Sequence, residues 1–344
     1  MTIYFPPEWA PQSAVMLTWP HHDTIWADTM AAIDAVFVQV ATEIAKRQQV
    51  LISCYDDAHY QHVQTLLTHA HANMAHIQLF KAASDDIWVR DHGPLTVMKQ
   101  QQPCLLDFTF NGWGNKYPAE NDNRITHALH VQRAFAAHAY HPIAMVLEGG
   151  AVEVDGRGTL LTTKSCLLAM SRNPQLSFIE IENNLKNYLG IKKILWLEHG
   201  QLAGDDTDGH IDTLARFTDP HTICYVSCDD INDPHYAGLK QMAAQLRTFT
   251  DVDNKPYRLV ALPWPKARFA DFDGRRLPAT YANFLIINDA VLVPTYADPA
   301  DEQALQILAD CFPDRKIIDV PCLAVIQWYG SLHCMTMQLP LGVI

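Results

Sequence analysis

The sequence predicts an α/β fold built from one recurring unit, a helix followed by a short apolar strand. Three observations carry that reading. Amphipathic and strand-like stretches alternate along the chain, the strands are short and mostly apolar, and the cadence returns five times over 344 residues. The mean spacing of about 60 residues is too irregular for a stacked array and suits degenerate modules closing into a ring.

Taken in order, the elements begin at 30–48, where Ile33, Phe37, Val40 and Ile44 recur at i, i+4, i+7 and i+11, one apolar stripe of a helix laid on a core. A strand follows at 50–54, then a second helical stretch and a strand at 77–80. Helix-then-strand order precedes further strands at 145–147, 194–197, 259–262 and 317–320, and additional β-like runs such as 158–163 and 290–294 come after. The turns between these runs hold the unusual side chains. They are Trp88-Val89-Arg90-Asp91-His92-Gly93-Pro94, Leu147-Glu148-Gly149-Gly150, 205–212 with its repeated aspartates, and Gly330-Ser331-Leu332-His333-Cys334. In a ring of modules such turns converge on one axis. No linker or composition break interrupts the chain, so 1–344 reads as a single domain.

With 49% apolar and 18% charged residues, disorder is excluded. Twenty-five basic against 38 acidic residues leave −13, which disfavours nucleic acid and favours a small cationic partner. The opening residues 1–7 lack a basic stretch followed by an apolar one, and no apolar run is long enough to span a membrane. The chain therefore reads as cytoplasmic, without a membrane partner. Eight scattered cysteines have no framework spacing, so most are expected to be buried reduced thiols. The histidines at 59, 62, 69, 71 and 76 lack partners in ligand register, and neither a metal nor another cofactor is expected.

Each motif alone has a bland reading. Glu148 before two glycines fits a tight turn in which glycine supplies a positive φ, Arg90-Asp91 fits a surface ion pair, and Cys334 fits a core thiol. Together they say more. A thiol, a histidine and three carboxylates, each just past a β-like run beside glycine, are what hydrolysis at an amidine carbon requires: a nucleophile, a proton shuttle and anions to hold a cation.

Trp-x-Arg-Asp-x-Gly-Pro at 88–94, Leu-Glu-Gly-Gly at 147–150, Gly-His-Ile-Asp at 209–212 and His-Cys-x-Thr at 333–336 closely resemble the agmatine deiminases of the bacterial-type peptidylarginine deiminase family. Pro7-x-Trp9, 161–166, Tyr281-Ala282-Asn283-Phe284 and 312–316 extend the resemblance over nearly the whole chain. It implies the pentein fold, a five-bladed α/β propeller of ββαβ-like modules with pseudo-fivefold symmetry. It also implies hydrolysis of agmatine to N-carbamoylputrescine and ammonia, in putrescine and polyamine biosynthesis.

By this resemblance Cys334 attacks the guanidinium carbon, and His210 protonates departing ammonia and then activates water. Glu148 orients and charge-balances His210, while Asp91 and Asp212 clamp the guanidinium nitrogens. Bidentate carboxylates suit a planar guanidinium, and the covalent thiouronium intermediate needs no metal. Asp212 lies two residues from His210, so an extended backbone would point both to one face. Trp88 would line the channel, Arg90 would sit among the substrate-binding residues, and Asp206 would hold the far ammonium.

Two departures stand out. Trp328-Tyr329-Gly330 replaces consecutive glycines found in many relatives, with an expected narrowing of the channel, and Asp208 replaces an Asn, placing another negative group near His210. Three rival readings remain. Asp208-x-His210-x-Asp212 also fits the alternating ligands of a manganese ureohydrolase, although further clustered ligands are missing. A deiminase for arginine or peptidyl arginine would need a channel Arg or Lys, which the sequence does not place. A non-enzymatic binding protein sits poorly with an intact reactive set. Oligomeric state stays open, a homo-oligomer among the options.

Overall fold

The computed structural model describes residues 2–136 and 139–344, so Met1 of the opening segment lies outside them. Their fold is α/β, with mixed parallel and antiparallel sheets, and the strands fall into five separate sheets. Each sheet repeats one plan, an antiparallel strand pair, a helical crossover and a third strand parallel to the middle one.

In the first, Leu95–Lys99 pairs antiparallel with Gln102–Thr109, the helix Asp122–Val131 crosses over, and Ala139–Val146 adds in parallel. The second joins Glu153–Val154, Thr159–Thr163 and Lys193–Leu197 around the helix Phe178–Leu189. The third joins Ala215–Asp219, Thr222–Val226 and Arg258–Leu262 around Tyr236–Leu246. The fourth joins Leu285–Ile287, Ala290–Thr295 and Lys316–Pro321 around Ala300–Cys311. The fifth pairs the C-terminal Met337–Pro340 with Gln12–Thr18, then adds Gln49–Cys54 and Ile77–Lys81 through the helices Met30–Ala45 and Asp57–His69.

The expected helix stripe is buried, since Ile33, Phe37, Val40 and Ile44 are fully covered. Middle strands such as Thr159–Thr163 and Thr222–Val226 are buried at every position, which is why they read as continuous apolar or threonine-rich runs. The strand expected at 145–147 instead spans Ala139–Val146 and ends before Leu147. Ala139, His141 and Pro142 are exposed and Tyr140 is half-buried, so the first half gave no continuous apolar signal. Local chemistry fixes helix ends where packing does not. Ser177 and Glu180 form a reciprocal capping box at the start of Phe178–Leu189, and Gly190 closes its end at φ 69°.

This plan positions the site through its connections. Each link from the last strand of one sheet to the first strand of the next carries one group of the side chains described below: 82–94, 147–152, 198–214, 263–284 and 322–336. The regular part of each module is scaffold, and the irregular part is chemistry.

Candidate active site

Asp91 sits in the one-turn helix Val89–His92, buried together with Arg90. Arg90 N–H donates to the Cys334 carbonyl at 3.1 Å, tying the first connection to the last. One Asp91 oxygen accepts from Trp113 Nε1 at 2.9 Å; the other accepts Gly150 N–H at 3.0 Å and stands 3.5 Å from His210 Nδ1. Burial first, then the negative charges of Asp212 and Glu148, outweigh the pull of His210 and push the Asp91 pKa up to about 6.

Gly149 and Gly150 do not serve a positive φ, contrary to the turn reading. They serve space. A Cβ on Gly150 would lie 2.5 Å from His210 Nδ1, 2.8 Å from Asp91 Oδ1 and 3.1 Å from Asp212 Oδ2, so the bare backbone keeps the meeting point of these three groups open. Positive φ falls instead at Asp208 (66°) and Gly209 (92°), just before His210.

His210 is fully buried and neither ring nitrogen has a hydrogen-bond partner among the described residues. The expected extended backbone is absent. A 3₁₀ turn over Ile211–Thr213 follows His210 directly, and it is this turn that brings Asp212 beside His210 and Asp91 around Gly150. Glu148 is within 4.8 Å of a His210 ring nitrogen but makes no hydrogen bond to it. Its carboxylate instead accepts from Arg172 Nε at 2.9 Å, with the second oxygen unpartnered.

Cys334 lies 3.8 Å from Asp212 Oδ2 and 3.4 Å from Asn283 Oδ1 through its sulfur. Burial, followed by Asp212 and Asp91, pushes the thiol pKa well up, so the resting group is a neutral thiol. Asp212 accepts from His333 Nδ1 at 2.7 Å, and His333 Nε2 lies 2.7 Å from Glu8. Glu8 pairs with Arg216 at 2.8 Å, and Arg216 with Glu153 at 3.1 Å. Burial alone would raise the carboxyls of Glu8 and Asp212, but the cations around them win and hold both below the usual range.

A cavity of about 240 Å³ ends at Asp91 and Cys334. Trp88, Trp113, Tyr117, Trp328 and Tyr329 wall it, and Asp86, Asp206, Asp273 and Arg275 add its charges. Asp86 is pushed up to about 6 by burial against donation from Trp26. The aromatic departure has a physical place. Gly330 is the one glycine of that stretch that packing demands, since a Cβ there would meet the Trp88 ring at 2.3 Å, while Trp328 and Tyr329 form the mouth.

Arg90 is a correction. It points away from the cavity, toward Glu8 at 3.7 Å and Gln338 at 2.6 Å, because a buried guanidinium needs anionic and carbonyl acceptors that lie behind the site. It is not a surface ion pair, and it does not line the cavity. Asp206 reaches the cavity but is already engaged by Tyr117 and by Lys116 at 3.2 Å, and Asp208 is neutralised by Lys116 and Arg172 rather than facing His210 bare. In the histidine-rich stretch His62 does find a carboxylate, Asp34 at 2.8 Å, while His59 Nδ1 accepts from Tyr55 N–H.

Sequence reasoning missed Glu8, Trp113, Arg172, Arg216, Arg275 and the roles of Asn283 and His333. Glu8 and Asn283 stood inside the Pro7-x-Trp9 and Tyr281–Phe284 motifs, so a signal existed. Arg275 had none: its guanidinium is 3.9 Å from the Tyr329 ring centre, donates to Asp273 at 2.7 Å, and so lines the mouth from a loop with no motif.

The model of the Porphyromonas-type peptidyl-arginine deiminases matches residues 4–340. The chain belongs to this family. An agmatine deiminase from Stutzerimonas stutzeri is 34% identical over 98% of this chain and 95% of its own length. Among solved structures, a Porphyromonas gingivalis protein provisionally named an arginine deiminase shares 47% identity at TM-score 0.93, covering 99% of both chains. A Cys→Ser variant of the C. jejuni agmatine deiminase with substrate bound shares 34% identity at TM-score 0.89, over 98% of this chain and 96% of that one.

Proposed function

We propose that this protein hydrolyses agmatine to N-carbamoylputrescine and ammonia, with Cys334 as nucleophile, His210 as proton carrier, and Asp91 and Asp212 as the guanidinium clamp. One observation carries the reading. Two buried carboxylates, Asp91 and Asp212, meet the His210 imidazole around Gly150, the Cys334 thiol stands 3.8 Å from Asp212, and Asp91 and Cys334 line an acidic, aromatic-walled cavity. Of the four lining carboxylates Asp206 is paired with Lys116 and Asp273 with Arg275, which leaves Asp86 and Asp91 without a Lys or Arg partner, and that balance suits a substrate carrying two positive charges.

The guanidinium enters between Asp91 and Asp212 and offsets the negative field that holds the Cys334 thiol protonated. The thiol proton passes to His210 as sulfur bonds to the guanidinium carbon, and His210 then protonates the departing amine, which leaves as ammonia. A water molecule, deprotonated by His210, adds to the thiouronium carbon; the C–S bond then breaks as the carbonyl forms, the hydroxyl proton passes to the departing sulfur, His210 releases its proton to solvent and the carbamoyl product leaves. Glu148, held by Arg172, supplies a fixed negative charge beside the imidazolium. Trp88 packs along the alkyl chain, and Asp206 or Asp86 faces the far ammonium.

The ureohydrolase alternative loses its ligands, because Asp208 turns to Lys116 and Arg172 while Asp212 turns to His333. Arginine or peptidyl arginine stays as a second reading on one observation, the presence of Arg275 in the cavity. Against it, Arg275 is already paired with Asp273 and the Gln327 carbonyl. The five like sheets, closed by Met337–Pro340 on Gln12–Thr18, support a single five-bladed pentein propeller, and the biosynthetic role supports a cytoplasmic location. Among the described residues no helix is long and apolar enough to cross a membrane. The test is turnover of agmatine and arginine with product identification. Ammonia and N-carbamoylputrescine, at a rate kept in excess chelator, support the proposal; urea, or activity restored by manganese, contradicts it.

A further inference from the structure

Cys166 is a buried thiol the mechanism does not use, yet it stands beside the proton carrier. It ends the strand-to-helix step after Thr159–Thr163, where its N–H is capped by Thr163 Oγ1. Its sulfur, one ring nitrogen of His210 and one oxygen of Glu148 all lie within 4.8 Å of one another, and all three residues are buried. Among the described residues this is the one such group of three ligand-type side chains. A second observation points the same way. Glu148 Oε2 and the His210 ring nitrogens are buried without hydrogen-bond partners, so one carboxylate oxygen and one imidazole are available as ligands where a folded protein normally leaves few.

We propose that Glu148, Cys166 and His210 form an inhibitory site for a zinc-class divalent ion. Sulfur, imidazole and carboxylate are the donor set that Zn²⁺ prefers, and tetrahedral coordination at about 2.0–2.3 Å needs only a modest closing of the three groups. Arg172 stays on the other Glu148 oxygen and orients it, as ligating carboxylates usually require. On binding, the ion displaces the thiol proton of Cys166 to solvent and takes the imidazole lone pair. The inhibition rests on the proposed role of His210, because an imidazole bound to metal cannot carry protons; the binding itself does not. The three ligands lie behind the cavity wall, and Asp91, which lines the cavity and stands 3.5 Å from His210, marks the shortest approach to them.

Cobalt(II) provides a readout independent of turnover. Titrated into the protein, it is expected to give one equivalent of thiolate-to-cobalt absorption in wild type and equally in Cys334→Ser, and none in Cys166→Ser. Zinc is expected to inhibit agmatine turnover reversibly, with at least a tenfold weaker effect in Cys166→Ser. Should Cys166→Ser fail to fold, His210→Ala, which keeps both thiols, is expected to weaken cobalt binding at least tenfold. Absorption that disappears in Cys334→Ser but persists in Cys166→Ser would overturn the site by placing the metal on the nucleophile, as would no absorption in wild type. If cobalt binds as described but zinc leaves turnover untouched, the site stands and its inhibitory role, with the His210 assignment beneath it, falls.

Discussion

Asp91 is charged for function at a cost to the fold. Its carboxyl titrates near 6, above the unfolded value of about 4, so the native state holds the proton more tightly. Stability therefore falls as pH rises across that window, and the loss persists at neutral pH. Asp91→Asn is expected to stabilise the protein at pH 7 to 8 by on the order of 1–3 kcal/mol, with no gain near pH 4, by thermal unfolding at both pH values. The same substitution, like Asp212→Asn, should cost about 3–5 kcal/mol in kcat/KM with the fold intact, because one partner of a buried charge pair is lost. Near-native kinetics in both would move the guanidinium elsewhere. Cys334→Ser should lose at least about three orders of magnitude in kcat, since an alkoxide is far harder to form than a thiolate.

At the scale of elements, the five inter-sheet connections hold the chemistry, and bare glycine backbone makes room for it. Gly150→Ala would drive a methyl group into His210 and Asp91, and Gly330→Ala would drive one into Trp88. The first is expected to abolish turnover while far-UV circular dichroism stays native. The second should mainly raise KM by displacing the indole. A Gly150→Ala enzyme with wild-type kcat would show that the open space is not needed. The sequence disclosed the cadence, the buried helix stripe and the four motifs because apolar period and clustered reactive residues are local signals. It could not disclose that Arg90 faces backward, that Glu148 is held by Arg172, or that Arg275 reaches the mouth, because these depend on which connections meet. The 3₁₀ turn after His210 was hidden for a related reason: Ile211-Asp212-Thr213 carries no strong propensity, and the outcome is set by packing.

Across the whole molecule, Glu8 near one terminus reaches the site through His333, the neighbour of Cys334 near the other. Glu8 also receives Arg216 and, more distantly, Arg90, so a single buried carboxylate balances charges from several modules. Its pKa is depressed in the fold, hence its stabilisation is present above the unfolded value of about 4.3 and is lost as pH falls below it. Glu8→Gln is expected to destabilise by about 3–5 kcal/mol at neutral pH, with the difference from wild type shrinking in acid. Equal unfolding midpoints at pH 7 would contradict this. The central claim is that Cys334 forms a covalent bond to the substrate carbon, and acid-quenching the enzyme during steady-state turnover of agmatine tests it directly. Intact-protein mass spectrometry should show one adduct equal to agmatine less ammonia, mapping by peptide to Cys334; an adduct on another cysteine, or turnover without any adduct in wild type and with activity retained in Cys334→Ser, would contradict it.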